Sequence, residues 1–571
     1  GSVTVVKQVI PSSAPAGSIT GAQPAGGWTF AGTGSAGVSF DAPSSRVTAA
    51  GTGAVNFPLS FSGGTQSGPV TLTETPQSGY SLQQVGGSNA VCTRTDTGAS
   101  VAVTNAGANG FTVNAATSYP VSCTVYNRAA AKVASVVLDK QWVINGTTYA
   151  QGSQPSGFEA QGQINGTEQP WGDELAGFAE GSSVILGETE TKFPRQCTLV
   201  SNRLTLANGT PVNLGLPSTQ TLQPGTNSYR ITNTVTCETK LTLVKSVANG
   251  TEPATSWVLD AVAPAGALTG PNGVTGSVGA TAAVSPNITY PLAETGTTAG
   301  SRLYVQRTDP AASLIPGSTG SWTCTEVGTD GTTVVPGFSD GLNGGVTVPL
   351  GTWVRCVATN QTATLKLVKT VQNEYGGTAT PSAWNLTATP TDVSTGIVAQ
   401  TVTGNADGVD INVRPGVQYQ LAESTGPAGY ELDNLRCSVD GADPVDATSV
   451  TVTAGKSAVC TFTNRDLPAH LTLVKVVDNG TTGGTATPAN WTLTASGPST
   501  VTGAGGSASI LNQAVKAGEY TLSESAGPSG YTPSAWVCTG ATANGGKVTV
   551  PLAGDVTCTI TNTAQPAHLT L

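Results

Sequence analysis

The sequence predicts an all-β protein built as a tandem array of β-sandwich domains. Alternation of apolar and polar residues over four to eight positions recurs about every ten residues, bounded by Gly, Pro, Asn and Ser. The chain holds 72 Gly and 35 Pro without a collagen period. A set of similar motifs also returns at domain-sized intervals, which indicates separate domains and not a solenoid.

The first marker of each repeat is a strand-like run that carries a lysine. Five such runs divide the 571-residue chain into predicted domains 1–129, 130–238 (divergent), 239–362, 363–467 and 468–565, and residues 566–571 (PAHLTL) begin a truncated sixth repeat. The runs are VTVVKQV (3–9), VVLDKQW (136–142), LTLVKSVANG (241–250), LKLVKTVQN (365–373) and LTLVKVVDNG (471–480).

Three further markers follow each lysine run in a fixed order. An aromatic residue predicted to lie in the core on the second strand comes first: Trp28, Phe158, Trp257, Trp384 and Trp491. A run with a glutamate follows: Glu74, Glu188, Glu294, Glu423 and Glu524. A last run ends near an asparagine: Asn127, Asn233, Asn360, Asn464 and Asn562.

The Lys, Glu and Asn of every repeat lie on the apolar side of their runs. In the fifth repeat Lys475 follows Leu473 by two residues, and Asn562 follows Ile560 by two. Because side chains two apart on a strand share a face, all three polar side chains are predicted to point into the core. An isolated buried charge is very costly, so a set that recurs five times requires a chemical explanation.

The chemistry of such a triad predicts an intramolecular Lys–Asn isopeptide bond. Burial lowers the pKa of a lysine and makes a neutral, nucleophilic amine accessible. A carboxyl group in an apolar pocket can stay protonated, polarise the amide oxygen and pass a proton to departing ammonia. The predicted crosslinks are Lys7–Asn127, Lys140–Asn233, Lys245–Asn360, Lys369–Asn464 and Lys475–Asn562, each promoted by the glutamate of its repeat. The alternative is that the Lys and Asn at the strand ends are partly exposed and form a salt bridge or a turn.

Each repeat also contains two cysteines, ten in total. In this Met-free chain they predict disulfides and an oxidising compartment, and zinc is the competing interpretation, although no C-x-x-C pair occurs. The predicted pairs are Cys92–Cys123, Cys197–Cys237, Cys324–Cys356, Cys437–Cys460 and Cys538–Cys558. Closing loops of this size is worth about 3–4 kcal/mol each.

Composition excludes several classes of function. Only 10% of residues are charged and the net charge is −10, so no basic surface for nucleic acid is expected. No apolar run is long enough to span a membrane. The two histidines, His470 and His568, occupy equivalent linker positions and predict neither catalysis nor metal binding. We expect no cofactor, no metal and no enzyme with turnover.

The motifs LTLVK, NWTLTA, YTLSESAGPSGY and VTCTITNT together resemble the SpaA/Cna-B-type repeats of Gram-positive, especially actinobacterial, surface proteins. The resemblance implies Ig-like or prealbumin-like sandwiches, with Lys475, Glu524 and Asn562 and their equivalents as crosslinking residues. It is close in repeats 4 and 5 and weakest in repeat 2. LPSTQ (216–220) is internal and departs from a sortase signal, so polymerisation as a backbone pilin is not supported.

Two functional hypotheses follow for an extracellular protein of the cell surface or wall. The first is a load-bearing stalk or fibre, stabilised by the crosslinks and disulfides, with an unknown surface or host ligand for the full-length protein. The alternative is an adhesin in which repeat 1 or repeat 3 binds a ligand itself. The segment 295–323 of repeat 3, with Arg302, Tyr304, Arg307 and Trp322, is the candidate surface.

Overall fold

The computed structural model describes residues 1–568, and it is all-β, as predicted. Residues 569–571 of the predicted sixth repeat lie outside the described residues. The strands form sheets that follow one another in pairs along the chain, with a hydrophobic core for each pair. Two compact units result, Gly1–Cys237 and Glu238–Leu571. The first unit holds two pairs of sheets and the second holds three.

The first unit contains the strands of repeats 1 and 2. In repeat 1 one sheet runs Ser100–Val101, Val91–Arg94, Val121–Ala129, Ser2–Ile10, Ala54–Phe61 and Val38–Phe40, with Gln23–Pro24 and Tyr80–Gln83 attached, and the other runs Val103–Ala106, Gly110–Ala116, Ser67–Glu74, Thr29–Thr33 and Ser45–Val47. In repeat 2 the sheets are Thr147–Ala150, Val133–Ile144, Gly225–Cys237, Cys197–Ala207 and Thr210–Gly215, with Glu174–Ala179 attached, and Thr167–Gln169, Glu159–Ile164, Ser183–Lys192 and Ser218–Thr221.

The second unit repeats this plan three times. Repeat 3 has Thr281–Ala283, Lys240–Val247, Trp353–Gln361, Trp322–Val327 and Val334–Asp340, with Val305–Gln306 attached, against Asn272–Gly273, Trp257–Ala261, Thr289–Gly296 and Gly345–Thr347. Repeat 4 has Val409–Val413, Ala363–Gln372, Ser457–Asp466, Tyr430–Val439 and Val445–Asp446 against Gln400–Thr403, Asn385–Pro390, Gln418–Glu423 and Ser449–Thr451. Repeat 5 has Gln513–Val515, Ala469–Asp478, Asp555–Ala564 and Tyr531–Pro533, with Val537–Thr539 attached, against Thr500–Ala504, Thr492–Ser496, Gly518–Glu524, Lys547–Val550 and Ala543–Asn544.

Helical structure among residues 1–568 is limited to six short 3₁₀ helices. They are Ala254–Ser256, Val278–Ala280, Gly300–Leu303, Pro381–Ala383, Pro488–Asn490 and Ala508–Ile510. In this described part of the chain, no helix has the length and apolar character needed to cross a bilayer.

Each repeat places its first and last long strands side by side in parallel. We call them the lysine strand (Ser2–Ile10, Val133–Ile144, Lys240–Val247, Ala363–Gln372 and Ala469–Asp478) and the asparagine strand (Val121–Ala129, Gly225–Cys237, Trp353–Gln361, Ser457–Asp466 and Asp555–Ala564). The register is the same in all five repeats. In each, the key lysine lies opposite the residue two positions before the asparagine. Lys475, for example, pairs with Ile560, and Val477 pairs with Asn562.

Five disulfides join the asparagine strand to its antiparallel neighbour on the other side. In each, the two cysteines lie directly opposite one another in the register. Each bond joins the two cysteines of one repeat: Cys92–Cys123, Cys197–Cys237, Cys324–Cys356, Cys437–Cys460 and Cys538–Cys558. The asparagine strand is therefore anchored covalently on one side and faces the lysine strand on the other.

Candidate crosslinking site

The structure brings the Lys, Glu and Asn of every repeat together between the two sheets. The lysine and asparagine come from adjacent parallel strands of one sheet, and the glutamate comes from a strand of the facing sheet. We call these last strands the glutamate strands: Ser67–Glu74, Ser183–Lys192, Thr289–Gly296, Gln418–Glu423 and Gly518–Glu524. Because the alternation of each strand turns these residues inward, three distant sequence positions meet in one core.

One carboxylate accepts from both partners in each site. The lysine Nζ donates to Glu Oε2, at 2.6 Å in Lys7–Glu74, 2.8 Å in Lys369–Glu423 and 2.6 Å in Lys475–Glu524, and also in Lys140–Glu188 and Lys245–Glu294. The asparagine Nδ2 donates to the other oxygen, Oε1, at 2.6 Å from Asn233, 2.6 Å from Asn360, 2.8 Å from Asn464 and 3.0 Å from Asn562, and also from Asn127. The two oxygens of one carboxylate group therefore hold the lysine amine and the asparagine carboxamide close to each other.

The sites exclude water to a high degree. All five lysines and all five asparagines are at most 4% exposed. The glutamate side chains are 1% exposed in repeats 1 and 2, 8% in repeat 3 and 13% in repeats 4 and 5. Water competes poorly for hydrogen bonds in such a site, so electrostatic interactions there are stronger than on the surface.

An aromatic ring covers each lysine. The lysine Nζ lies 4.3 Å from the Trp28 ring in repeat 1, and at 5.0, 4.6 and 4.7 Å from Trp257, Trp384 and Trp491 in repeats 3 to 5. A tyrosine packs edge-on against each of these indoles, namely Tyr80, Tyr304, Tyr430 and Tyr531. The core aromatics predicted from the sequence therefore also form the apolar wall of the site.

Repeat 2 builds the same wall from different residues. Trp142, on the lysine strand itself, lies 4.7 Å from Lys140 Nζ, and Trp171 lies at 5.4 Å. Phe158 packs edge-on against Trp142, in the place that a tyrosine occupies in the other repeats. Sequence reasoning missed this exchange, although Trp142 follows Lys140 by two residues and so shares its face.

Burial makes the lysines easier to deprotonate. Removal from water lowers the pKa of Lys7, Lys140 and Lys245 from 10.5 to about 8, against the opposing effect of the neighbouring glutamate. The same cause lowers the pKa of Lys369 and Lys475. A neutral amine is therefore far more accessible in these sites than on a solvated lysine, and only the neutral form is nucleophilic.

The amide oxygen of the asparagine lacks a hydrogen-bond donor in four of the five described sites. In repeats 1, 2, 3 and 5 this buried oxygen accepts no hydrogen bond from any residue of the described chain (Asn127, Asn233, Asn360 and Asn562). In repeat 4 the Lys369 ammonium donates directly to Asn464 Oδ1. A half-turn of the carboxamide about Cβ–Cγ would exchange the positions of Oδ1 and Nδ2.

The structure also places the four residues considered for ligand binding in repeat 3. Tyr304 and Trp322 are buried, at 4% and 3% exposure, and belong to the core of the repeat. Arg302 and Arg307 are exposed. Only the two arginines of this set therefore reach the surface, and Arg302 Nη1 there donates to the Gly396 carbonyl.

Residues 360–462 and 466–560 match a family model described as a prealbumin-like fold domain. The two matches cover most of repeats 4 and 5 and leave repeats 1 and 2 and most of repeat 3 unmatched. The chain as a whole is a tandem array of paired β-sheets. No curated protein matches the chain.

Several solved structures resemble parts of the array at low identity. The Bacillus anthracis TIE protein has 10% identity over 81% of this chain and 75% of its own, with a TM-score of 0.27. A C-terminal fragment of the pilus adhesin SpaC from Lactobacillus rhamnosus GG has 18% identity over 36% of this chain and 99% of its own, with a TM-score of 0.22. The major pilin from Streptococcus pyogenes has 13% identity over 40% of this chain and 98% of its own, with a TM-score of 0.19.

Proposed function

We propose that this protein is a load-bearing stalk of a bacterial surface protein, stabilised by one self-formed Lys–Asn isopeptide bond and one disulfide in each prealbumin-like domain. The observation that carries the proposal is the fivefold recurrence of one arrangement, in which a single glutamate between the sheets contacts both a buried lysine and a buried asparagine. Each pair of Lys and Asn connects the first and last strands of its repeat.

The reaction needs no further reagent. The neutral lysine Nζ attacks the asparagine Cγ, the Nζ–Cγ bond forms, and the Cγ–Nδ2 bond breaks. The glutamate takes a proton from Nζ and gives one to Nδ2, so that ammonia leaves and the carboxyl group returns to its starting state. Folding supplies the proximity that an intermolecular reaction lacks. Each site reacts once and consumes its own residues, so the chain is not an enzyme with turnover.

The position of the proposed bond suits a protein under tension. Force that enters at the start of the lysine strand and leaves at the end of the asparagine strand pulls two parallel neighbours in opposite directions. An isopeptide bond between these strands would carry that force before the hydrogen bonds of the sheet are loaded. The force then passes from the asparagine strand of one repeat to the lysine strand of the next within a few residues. Repeats 4 and 5 are an example, since Ser457–Asp466 is followed closely by Ala469–Asp478.

Disulfides favour an extracellular location, either at the cell surface or wall or in a secreted fibre. The low proportion of charged residues and the net charge of −10 disfavour nucleic acid as a partner. A surface or host ligand of the full-length protein is then the natural partner, at a site that the stalk holds away from the cell.

The decisive experiment is the intact mass of the purified chain after full reduction. Each isopeptide bond removes one ammonia, about 17 Da. We expect a deficit of five such units, and peptide mapping should assign one to each Lys–Asn pair. A mass equal to that of the plain sequence would overturn the crosslinks and leave the lysines as buried ion pairs.

An adhesin in which repeat 3 binds a ligand directly is the second candidate, and it depends on the exposed Arg302 and Arg307. Binding of the whole chain to a glycan array, compared with Arg307→Ala, tests it. Loss of one class of glycan in the variant would favour this candidate, whereas a chain that binds nothing is a spacer.

A further inference from the structure

A cavity borders the crosslinking site of repeat 3 on the side that faces repeat 4. A polar cavity of about 360 Å³ is lined by Trp257, Glu294 and Asn360 of the third repeat and by Arg414 of the fourth. Arg414 follows the strand Val409–Val413, which pairs with the lysine strand of repeat 4. A residue of one domain therefore lies beside the reactive groups of its neighbour.

Arg414 holds the segment that covers Lys245. Its Nη1 donates to the carbonyl oxygens of Arg302 and Tyr304, at 2.7 and 3.1 Å. The ring of Tyr304 packs edge-on against Trp257, with centroids 5.5 Å apart, and Trp257 lies over Lys245 Nζ. Arg414 therefore influences Lys245 only indirectly, through the packing of the Tyr304 and Trp257 rings, and it contacts no reacting atom itself.

Other contacts attach the same segment to repeat 4. Arg302 Nη1 donates to the Gly396 carbonyl at 3.0 Å. The buried hydroxyl of Thr362 lies 2.9 Å from the carbonyl oxygen of Leu303 and 3.0 Å from that of Val413, and it can donate to either one. Leu303 packs against the cores of both repeats. The short helix Gly300–Leu303 is therefore held between two domains.

The tyrosine of repeat 3 has less strand pairing beside it than the tyrosines of repeats 1, 4 and 5. Tyr80, Tyr430 and Tyr531 begin strands that pair with the asparagine strand of their own repeat over three residues or more. Tyr304 precedes Val305–Gln306, which pairs with its asparagine strand over only two residues. Within the repeat, the backbone N–H of Glu252 donates to the Tyr304 hydroxyl at 3.1 Å, and the contacts from repeat 4 add to this limited anchoring.

We infer that Arg414 is a positioning residue for the Lys245–Asn360 crosslink, so that the third domain completes its site only when the fourth domain has folded against it. The inference rests on the proposed function. It implies an order in a newly made chain: repeat 3 stays uncrosslinked until its C-terminal neighbour docks, and the joint and the crosslink mature together.

The test is a time course of crosslinking in the full chain after cell-free synthesis under oxidising conditions, with each crosslink followed by peptide mapping. Arg414→Ala should slow formation of Lys245–Asn360 at least fivefold, while Lys369–Asn464 and Cys437–Cys460 form as in the wild type and show that repeat 4 is folded. Arg436→Ala is the matched control, because this exposed arginine of repeat 4 donates to the carbonyl of Pro444 within its own repeat. It should leave all five crosslinks unchanged.

A second readout separates positioning from general destabilisation. If the aromatic cover loosens, the pKa of Lys245 moves back toward its ordinary value, and the pH at which crosslinking reaches half its maximal rate should rise in Arg414→Ala for this site alone. Arg414→Lys, which keeps a donor for the two carbonyls, should restore part of the rate. Unchanged kinetics at Lys245–Asn360 in Arg414→Ala would overturn this inference and leave the proposed function intact. A wild-type chain without crosslinks would overturn both.

Discussion

At the scale of single residues, the unusual feature of this protein is a set of buried lysines that have reactive neighbours. A buried ion pair contributes little to stability, because desolvation of both charges offsets their attraction. The proposed conversion of Lys and Asn to an amide would remove the ammonium group and leave a neutral group in the core. It would therefore also relieve the cost of folding around these side chains.

The glutamate should be required for the reaction and not only for packing. In Glu524→Gln the side chain keeps its shape but can no longer exchange protons with the amine and the leaving group. We expect the Lys475–Asn562 crosslink to form at least about 100-fold more slowly. Peptide mapping of the reduced chain over time measures this rate.

Glu519→Gln is the control for this prediction. Glu519 lies on the same glutamate strand, points to solvent and pairs with Lys547 at 2.7 Å. The Glu519→Gln variant should form the Lys475–Asn562 crosslink at the wild-type rate. An equal loss of crosslinking rate in both variants would contradict a role specific to Glu524.

The lowered pKa of Lys7 predicts a pH dependence of stability once the crosslink is blocked. In Asn127→Ala, Lys7 remains a free amine with a pKa of about 8 in the folded state and 10.5 when unfolded. Between these values the unfolded chain binds more protons, so the stability of repeat 1 should increase with pH, by at most about 1.4 kcal/mol per pH unit. Urea midpoints from pulsed hydrogen exchange of the Ser2–Ile10 strand provide the measurement.

Lys7→Met in the same Asn127→Ala background should lose this dependence, because the titrating amine is gone. An equal rise of stability with pH in the double variant would show that some other group is responsible.

At the scale of elements, the turn after the glutamate strand controls the aromatic wall of the site. A Cβ added at Gly527 would lie 2.0 Å from Trp491 Nε1, and at Gly426 the equivalent atom would lie 2.1 Å from Trp384 Nε1. These glycines let the chain pass close to the indole that covers the lysine. The Gly-Pro-x-Gly-Tyr sequence of repeats 4 and 5 therefore supplies both this close approach and the tyrosine that packs on the indole.

Gly527→Ala should displace Trp491 from Lys475. We expect slower formation of the Lys475–Asn562 crosslink, by about tenfold if the lysine pKa rises by about one unit, together with a lower melting temperature of repeat 5. Mass spectrometry and near-ultraviolet circular dichroism follow the two effects. Ser529→Ala, in the exposed part of the same turn, should change neither, and a normal rate in Gly527→Ala would show that the indole cover is dispensable.

At the scale of the whole molecule, the repeats form a mechanical series. Each is closed between its first and last strands by the proposed isopeptide bond, and a disulfide closes a smaller loop inside it. Both covalent links meet on the asparagine strand, which leads into the next repeat. A chain of such domains should lengthen little under force, because neither link yields before the backbone does.

Single-molecule pulling on the full chain tests this series. The wild type should show no unfolding step for its repeats, whereas Lys475→Met should add one step, from repeat 5 alone, of about 3.5 Å per released residue. The residues between Cys538 and Cys558 should stay locked in that step. Lys547→Met, which removes an exposed lysine of the same repeat, should behave as the wild type, and steps from all five wild-type repeats would contradict the load-bearing role.

The sequence by itself determined the fold class and the inward face of each key residue. Alternation with a period of two places Lys475, Glu524 and Asn562 among apolar neighbours, and repetition distinguishes this pattern from chance. These are local properties of strands, so they are visible without the fold. The exchange of Trp142 and Phe158 in repeat 2 was not predicted, because a run shows which face a ring takes but not which of two rings lies nearer to the lysine.

Only the tertiary structure decided which strands are neighbours and which side chains form hydrogen bonds with one another. The pairing of lysine and asparagine strands joins residues about a hundred positions apart, and their parallel register, Lys475 opposite Ile560, follows from the packing of two sheets. The burial of Tyr304 and Trp322 and the reach of Arg414 to the Tyr304 carbonyl likewise depend on contacts between distant segments. Such contacts are set by packing across a core or a domain joint, which leaves no periodic signal in the chain.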